Sequence, residues 1–64
     1  MDRKLIQEVF LRTARDSKYQ MNPYEVAKFT GKLLSIHPLQ VWTAFGYMDT
    51  MISVAKGEHP ICNG

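Results

Sequence analysis

Residues 38–57 have the sequence PLQVWTAFGYMDTMISVAKG, and between Leu39 and Ala55 this stretch carries a single charged residue, Asp49. A short chain cannot leave this many large apolar side chains in water. We therefore expect this stretch to contribute most of the core. Proline suits the first position of a helix, and glycine suits the left-handed residue that follows its end. We therefore predict one long helix over residues 38–56, which begins at Pro38 and is ended by Gly57.

The two sides of this predicted helix differ in character. One side is a broad apolar stripe, made of Val41, Ala44, Phe45, Met48, Met51, Ile52 and Ala55. The opposite side is the candidate partner-binding surface, made of Leu39, Trp42, Gly46, Asp49, Thr50 and Ser53. Trp42 is either an internal residue under the first helix or an anchor for a partner, because tryptophan is enriched among binding hot spots. The small flanking residues favour the anchor, since they would let another backbone approach.

Two shorter helices precede this stretch. Apolar residues at helical spacing predict the first over residues 2–16, with Asp2 as its N-cap. The second is predicted over residues 23–34, because Asn22 is a favoured N-cap and Pro23 suits the first helical position. We expect its apolar side to face inward, and that side consists of Val26, Ala27, Phe29, Thr30, Leu33 and Leu34.

These elements predict an all-α protein, a small three-helix bundle with helices at about 2–16, 23–34 and 38–56. We expect one helical domain over residues 1–57, followed by a loose, flexible tail over residues 58–64.

Size and composition narrow the function classes. A chain of 64 residues buries only about 60% of its unfolded surface. The single cysteine, Cys62, excludes an internal disulfide and favours a reducing compartment such as the cytoplasm. We expect neither a signal peptide nor a membrane segment. The net charge of +2 neither requires nor excludes a nucleic acid partner.

Residues 30–44, TGKLLSIHPLQVWTA, resemble a bacterial helix-turn-helix motif. Gly31 matches the small residue at which the second helix of that motif crosses the first. Ser35 matches the small turn residue, and Ile36 the buried residue after it. The remaining matches are the apolar positions Leu34, Val41 and Ala44.

The resemblance implies a DNA-binding regulator as the alternative function. The candidate nucleic-acid-binding residues are then Lys28, Lys32, His37, Gln40, Thr43, Arg12 and Arg15. The presumed recognition helix, however, carries no lysine or arginine before Lys56, and it presents Leu39 and Trp42, whereas base reading favours arginine, lysine, asparagine or glutamine. A protein-binding role on the same scaffold fits this chemistry better.

Catalytic and metal chemistry have little support. Apart from carboxylates, the metal-prone side chains are His37, His59 and Cys62, whereas a structural zinc site needs four ligands. Nothing around Cys62 supplies the support of a nucleophile, so we predict no enzyme, catalytic residue, metal, cofactor or small-molecule substrate.

We therefore predict a small cytoplasmic regulator or inhibitor that binds another protein or a second copy of itself, with DNA binding as the alternative. Phages and mobile elements carry regulators of this kind, and that origin is inferred from size alone.

Overall fold

The computed structural model describes residues 2–63, which form four α-helices and a short 3-10 helix. Their bounds are α1 Arg3–Asp16, α2 Pro23–Leu34, α3 Pro38–Ala44, α4 Met48–Ala55 and the 3-10 helix Pro60–Asn63. The all-helical class is confirmed. The predicted three-helix bundle is wrong, because the expected third helix is divided into α3 and α4. The predicted domain begins at Met1 and the predicted tail ends at Gly64, and both of these residues lie outside the described residues.

The division between α3 and α4 is made by residues 45–47. Gly46 has φ +82°, a left-handed conformation that costs glycine little and other residues more. Tyr47 then adopts extended backbone and stands at the N-cap of α4. The chain therefore leaves α3 after Ala44 and restarts as a helix at Met48.

Contacts from α1 hold this break in place. The side-chain amide of Gln7 donates a hydrogen bond of 2.7 Å to the carbonyl of Ala44, which lies in the last turn of α3 and would otherwise lack a helical partner. Phe45 packs edge-on against Phe10, with ring centroids 4.9 Å apart and the ring planes 64° apart. Gln7 and Phe10 of α1 thus both contact the end of α3, directly before the break.

The predicted helix starts are confirmed. Asp2 caps α1 by accepting a 3.0 Å hydrogen bond from the Lys4 amide. Asn22 caps α2 by accepting a 2.9 Å bond from the Tyr24 amide, and Pro23 occupies the first turn. At the far end of the chain Gly57 has φ +76° and follows the end of α4, as the sequence predicts.

All four helices contribute to the core. Its buried apolar members are Ile6, Phe10, Ala14, Val26, Ala27, Val41, Ala44, Met51, Val54 and Ala55. Phe29 and Leu33 are not among them, and the prediction that they face inward is wrong: their side chains are 49% and 59% exposed. The physical reason is that α2 turns the side carrying Val26 and Gly31 toward the other helices, so the neighbouring side stays at the surface.

The C-terminal residues contact the helices. Cys62 is half-buried and packs against the core, and its Sγ lies 3.5 Å from the carbonyl oxygen of Val54. The guanidinium of Arg15 donates to the carbonyl of Cys62 at 3.4 Å. Residues 60–63 therefore lie against α1 and α4, and the flexibility expected of the tail stays a prediction.

A Gly46→Ala substitution tests the break by the sign of its effect. We expect it to lower the free energy of unfolding by roughly 1–2 kcal/mol, because alanine adopts a left-handed φ poorly. In one continuous helix the same change would raise stability by about 1 kcal/mol, since alanine is the better helix former. Chemical denaturation measures the difference, and Gly46→Asn serves as control because asparagine tolerates this conformation better.

Candidate functional site

A shallow apolar pocket lies where α2 meets α3, and we call it the α2–α3 surface. Its lining residues are Tyr24, Ala27, Lys28, Pro38, Leu39, Trp42 and Met51. Tyr24 and Leu39 stand at its edges with 52% and 56% of their surfaces exposed. Trp42 is half-buried and packs against the core. Large apolar groups around a partly covered tryptophan are the composition of an interface centre.

The position of Trp42 is compatible with both interpretations of the sequence, an internal residue and an anchor for a partner. It contacts the core and also lines an open pocket, whereas Leu39 is mostly exposed. Truncating Trp42 would remove core packing as well as binding surface, so Leu39 is the cleaner probe of binding.

The other predicted partner-binding residues do not share one helical side with Leu39 and Trp42. Asp49, Thr50 and Ser53 lie on α4, beyond the break, so the expected continuous side is absent. Gly46 supplies the left-handed residue of the turn, and the space around the position that its Cβ would take is open. A binding role for these residues stays a prediction.

The connection between α2 and α3 is tight. A Cβ on Gly31 would lie 2.6 Å from the carbonyl oxygen of Ile36, closer than atoms can pack, so only glycine fits there. Ser35 is left-handed, with φ +57°, and the Ile36 amide donates to the Gly31 carbonyl at 2.8 Å. This geometry sets α3 directly against α2. The helix-turn-helix resemblance itself stays a prediction.

Several candidate nucleic-acid-binding groups stabilise α3 itself. The Leu39 amide donates to Nδ1 of His37 at 3.0 Å, and the His37 amide donates to Oε1 of Gln40 at 3.1 Å. These two bonds form a reciprocal cap at the start of α3. The Thr43 hydroxyl donates to the carbonyl of Gln40 at 3.0 Å. Adenine recognition by glutamine uses both side-chain amide atoms, and here the oxygen is already engaged.

The basic candidates are distributed over different parts of the surface. Lys28 and Lys32 lie beside Pro38, at the start of α3. Arg12 lies with Phe29 on the opposite flank of α2, and Arg15 points toward Cys62. The structure therefore brings the two lysines close to α3, whereas Arg12 and Arg15 line other surfaces.

One basic residue near α3 was missed by the sequence reasoning. Arg3 lines a groove together with Gln40 and Thr43. Its place depends on how α1 crosses α3, and no local pattern in the sequence signals that crossing.

A second apolar groove, also missed, lies between α1 and α2, and we call it the α1–α2 surface. Its lining residues are Val9, Arg12, Thr13, Asp16, Ser17, Met21, Phe29 and Leu33. A signal for it existed in the sequence. Phe29 and Leu33 directly follow Lys28 and Lys32, so each pair lies only about 100° apart around the helix and can share the exposed side.

The metal-prone side chains are placed apart or engaged elsewhere. His59 Nδ1 accepts a 3.2 Å hydrogen bond from the Ile61 amide, and the Cys62 thiol lies against α4. Within residues 2–63, no three histidine, cysteine or acidic side chains gather in one place. In the same range, each helix falls short of the length and apolar character needed to cross a membrane.

Comparison with family models, with curated proteins and with solved structures gave no match for this chain. Inferences about function therefore rest on the surfaces described above.

Proposed function

We propose that this protein is a small, non-enzymatic, cytoplasmic regulator or inhibitor that binds another protein through the α2–α3 surface. The observation that carries the proposal is the pocket in which Leu39 and Tyr24, both more than half exposed, flank the half-buried Trp42. We propose the cytoplasm because a single cysteine suits a reducing compartment, and we propose an origin on a phage or mobile element from size alone.

The chemistry of the pocket defines the kind of segment it would accept. Its walls are apolar, and Lys28 provides a cation at the rim. An apolar side chain would be buried against Trp42, and an acidic group beside it would pair with Lys28. We infer that the partner offers a large apolar residue next to a carboxylate.

The pocket is also positioned by rigid structure. Pro38 and Leu39 belong to the first turn of α3, which is capped by His37 and Gln40 and set close to α2 by Gly31. A backbone held by caps has little freedom left to lose on binding, which favours affinity.

A Leu39→Lys variant tests this function. Because Leu39 is exposed, we expect the variant to keep its thermal midpoint and to lose about 2 kcal/mol or more of binding to the native partner. Affinity capture from the native host, quantified by mass spectrometry, identifies proteins retained by the wild type and lost by the variant. Retention should persist at high salt, since apolar burial is not screened.

Leu5→Lys is the matched control, because Leu5 is an exposed leucine of α1 outside this pocket. Equal recovery of every captured protein by the wild type and by Leu39→Lys would contradict the proposal.

A second candidate function is DNA binding by α3. It is favoured by the tight connection at Gly31, the left-handed Ser35, and the presence of Lys28 and Lys32 beside the start of α3. Arg3, beside Gln40 and Thr43, would add a third cation. It is the weaker candidate, because the side-chain acceptors of His37 and Gln40 are already used within the protein.

Replacing both Lys28 and Lys32 with glutamine tests the DNA-binding candidate. Each lost phosphate contact should reduce the slope of log affinity against log salt by about 0.9, so the double variant should lose about two contacts' worth of slope. Fluorescence anisotropy with a mixed-sequence duplex measures it, with Lys56→Gln as control. A wild type that fails to bind any duplex at low salt would exclude this candidate.

A further inference from the structure

We propose that the binding site extends from the α2–α3 surface into a neighbouring groove on α2, and that the two together hold one acidic segment of a partner protein. This inference rests on the proposed function and adds the second half of its site and the pattern of its partner. The neighbouring groove, which we call the lysine groove, is lined by Met21, Lys28, Phe29, Lys32, Ile36 and Pro38, together with Glu25. The segment places one apolar side chain in each pocket and a carboxylate between them.

The two pockets adjoin each other. Lys28 and Pro38 line both of them, so these two side chains form the divide between the pockets. Trp42 lies on one side of the divide, and Phe29, about half exposed, lies on the other. A segment that crosses the divide can therefore bury an apolar side chain against each aromatic ring, and aromatic residues are enriched at interfaces.

The lysines determine the charge that the segment should carry. Lys28 stands on the divide, Lys32 follows it four residues later in the lysine groove, and both side chains are exposed. The two positions are about 6 Å apart along the helix axis. Carboxylates opposite them would complement this positive potential, so we expect the segment to carry an acidic residue between its apolar ones.

Glu25 gives the site a direction. It precedes Lys28 by three residues, so the charges along this side of α2 run negative, positive, positive toward Lys32. An acidic residue of the partner would be repelled near Glu25 and attracted beside Lys32. We therefore expect the acidic residues of the segment toward the Lys32 end, with a neutral or basic residue near Glu25.

A polypeptide fits this alternation better than other anions do. Its side chains supply apolar groups and carboxylates one after another along a single chain, which matches a pocket, a lysine and a second pocket. The phosphate backbone of a nucleic acid would complement Lys28 and Lys32, but it would leave Phe29 and Ile36 without apolar groups to pack on. The apolar lining thus favours a segment of a protein as the occupant.

Selection from a random peptide library displayed on phage tests the pattern. We expect the wild type to retain peptides in which an acidic residue lies between two apolar ones. Trp42 is the single tryptophan of the chain and lines the first pocket, so its fluorescence reports the binding of synthesised peptides. A selection that yields no binder, or binders that lack the acidic residue, overturns the proposal.

Substitutions in the lysine groove test whether the selected peptide reaches it. Phe29→Ala and Lys32→Glu should each weaken peptide binding roughly 10-fold, because the first removes an apolar contact and the second repels the carboxylate. Leu33→Ala and Lys56→Glu are the matched controls and should bind like the wild type, since both side chains are exposed and lie outside the two pockets. Circular dichroism melting verifies that each variant is folded.

A charge exchange tests the contact with Lys32 itself. A peptide in which lysine replaces the acidic residue should bind the Lys32→Glu variant more tightly than the wild type, because the pair is then again of opposite sign. A general loss of structure in the variant would not produce this preference. An exchanged peptide that shows no preference for the variant overturns the proposal.

The extended site and the proposed function fail separately. If Leu39→Lys abolishes peptide binding while Phe29→Ala and Lys32→Glu bind like the wild type, the α2–α3 surface acts alone and the extension is wrong. If Leu39→Lys binds like the wild type, the α2–α3 surface is not the site and the proposed function is wrong. Self-association of the wild type that Phe29→Ala abolishes would assign the lysine groove to a second copy and would overturn the extension.

Discussion

The arrangement of this protein depends on the break between α3 and α4. Gly46 supplies a left-handed residue, and Gln7 supplies a hydrogen bond to the carbonyl of Ala44 at the end of α3. Phe45, the residue before Gly46, packs on Phe10. With one straight helix over residues 38–56, Phe45 and Met51 would be fixed on a single rigid rod. The break instead lets α3 pack on α2 while α4 covers another part of the core.

The sequence predicts the parts of this fold that local chemistry controls. Asp2 and Asn22 are found as N-caps, Pro23 lies at the first turn of α2, and Gly57 follows the end of α4 in a left-handed conformation. Each of these assignments depends on groups within a few residues of one another, which is why a single sequence suffices.

The sequence fails where the outcome depends on packing between distant residues. Glycine inside an apolar run is compatible with a continuous helix, and the bond from Gln7 that favours the break spans 37 residues of chain. The exposure of Phe29 and Leu33 likewise depends on which side of α2 the other helices cover. The structure shows the α2–α3 connection close against Gly31, where a Cβ would lie 2.6 Å from the carbonyl oxygen of Ile36, so that side of α2 is covered.

The consequence for function is that α2 separates two apolar surfaces. Tyr24 and Lys28 belong to the α2–α3 surface, whereas Phe29 and Leu33 belong to the α1–α2 surface. A small domain without a disulfide has a thin margin of stability, so exposing large side chains on both sides of one helix calls for an explanation. Binding of a partner to the α2–α3 surface, as proposed above, would account for the exposure of Tyr24 and Leu39.

The account depends on where the helix breaks between α3 and α4. Amide hydrogen exchange measured by NMR at Asp49 and Thr50 tests the position of this break most directly. In the structure these residues lie in the first turn of α4, where amides have no helical acceptor, so we predict rapid exchange at both. In a continuous helix their amides would donate to the carbonyls of Phe45 and Gly46. Exchange at Asp49 and Thr50 as slow as that of the buried Val54 would contradict the account.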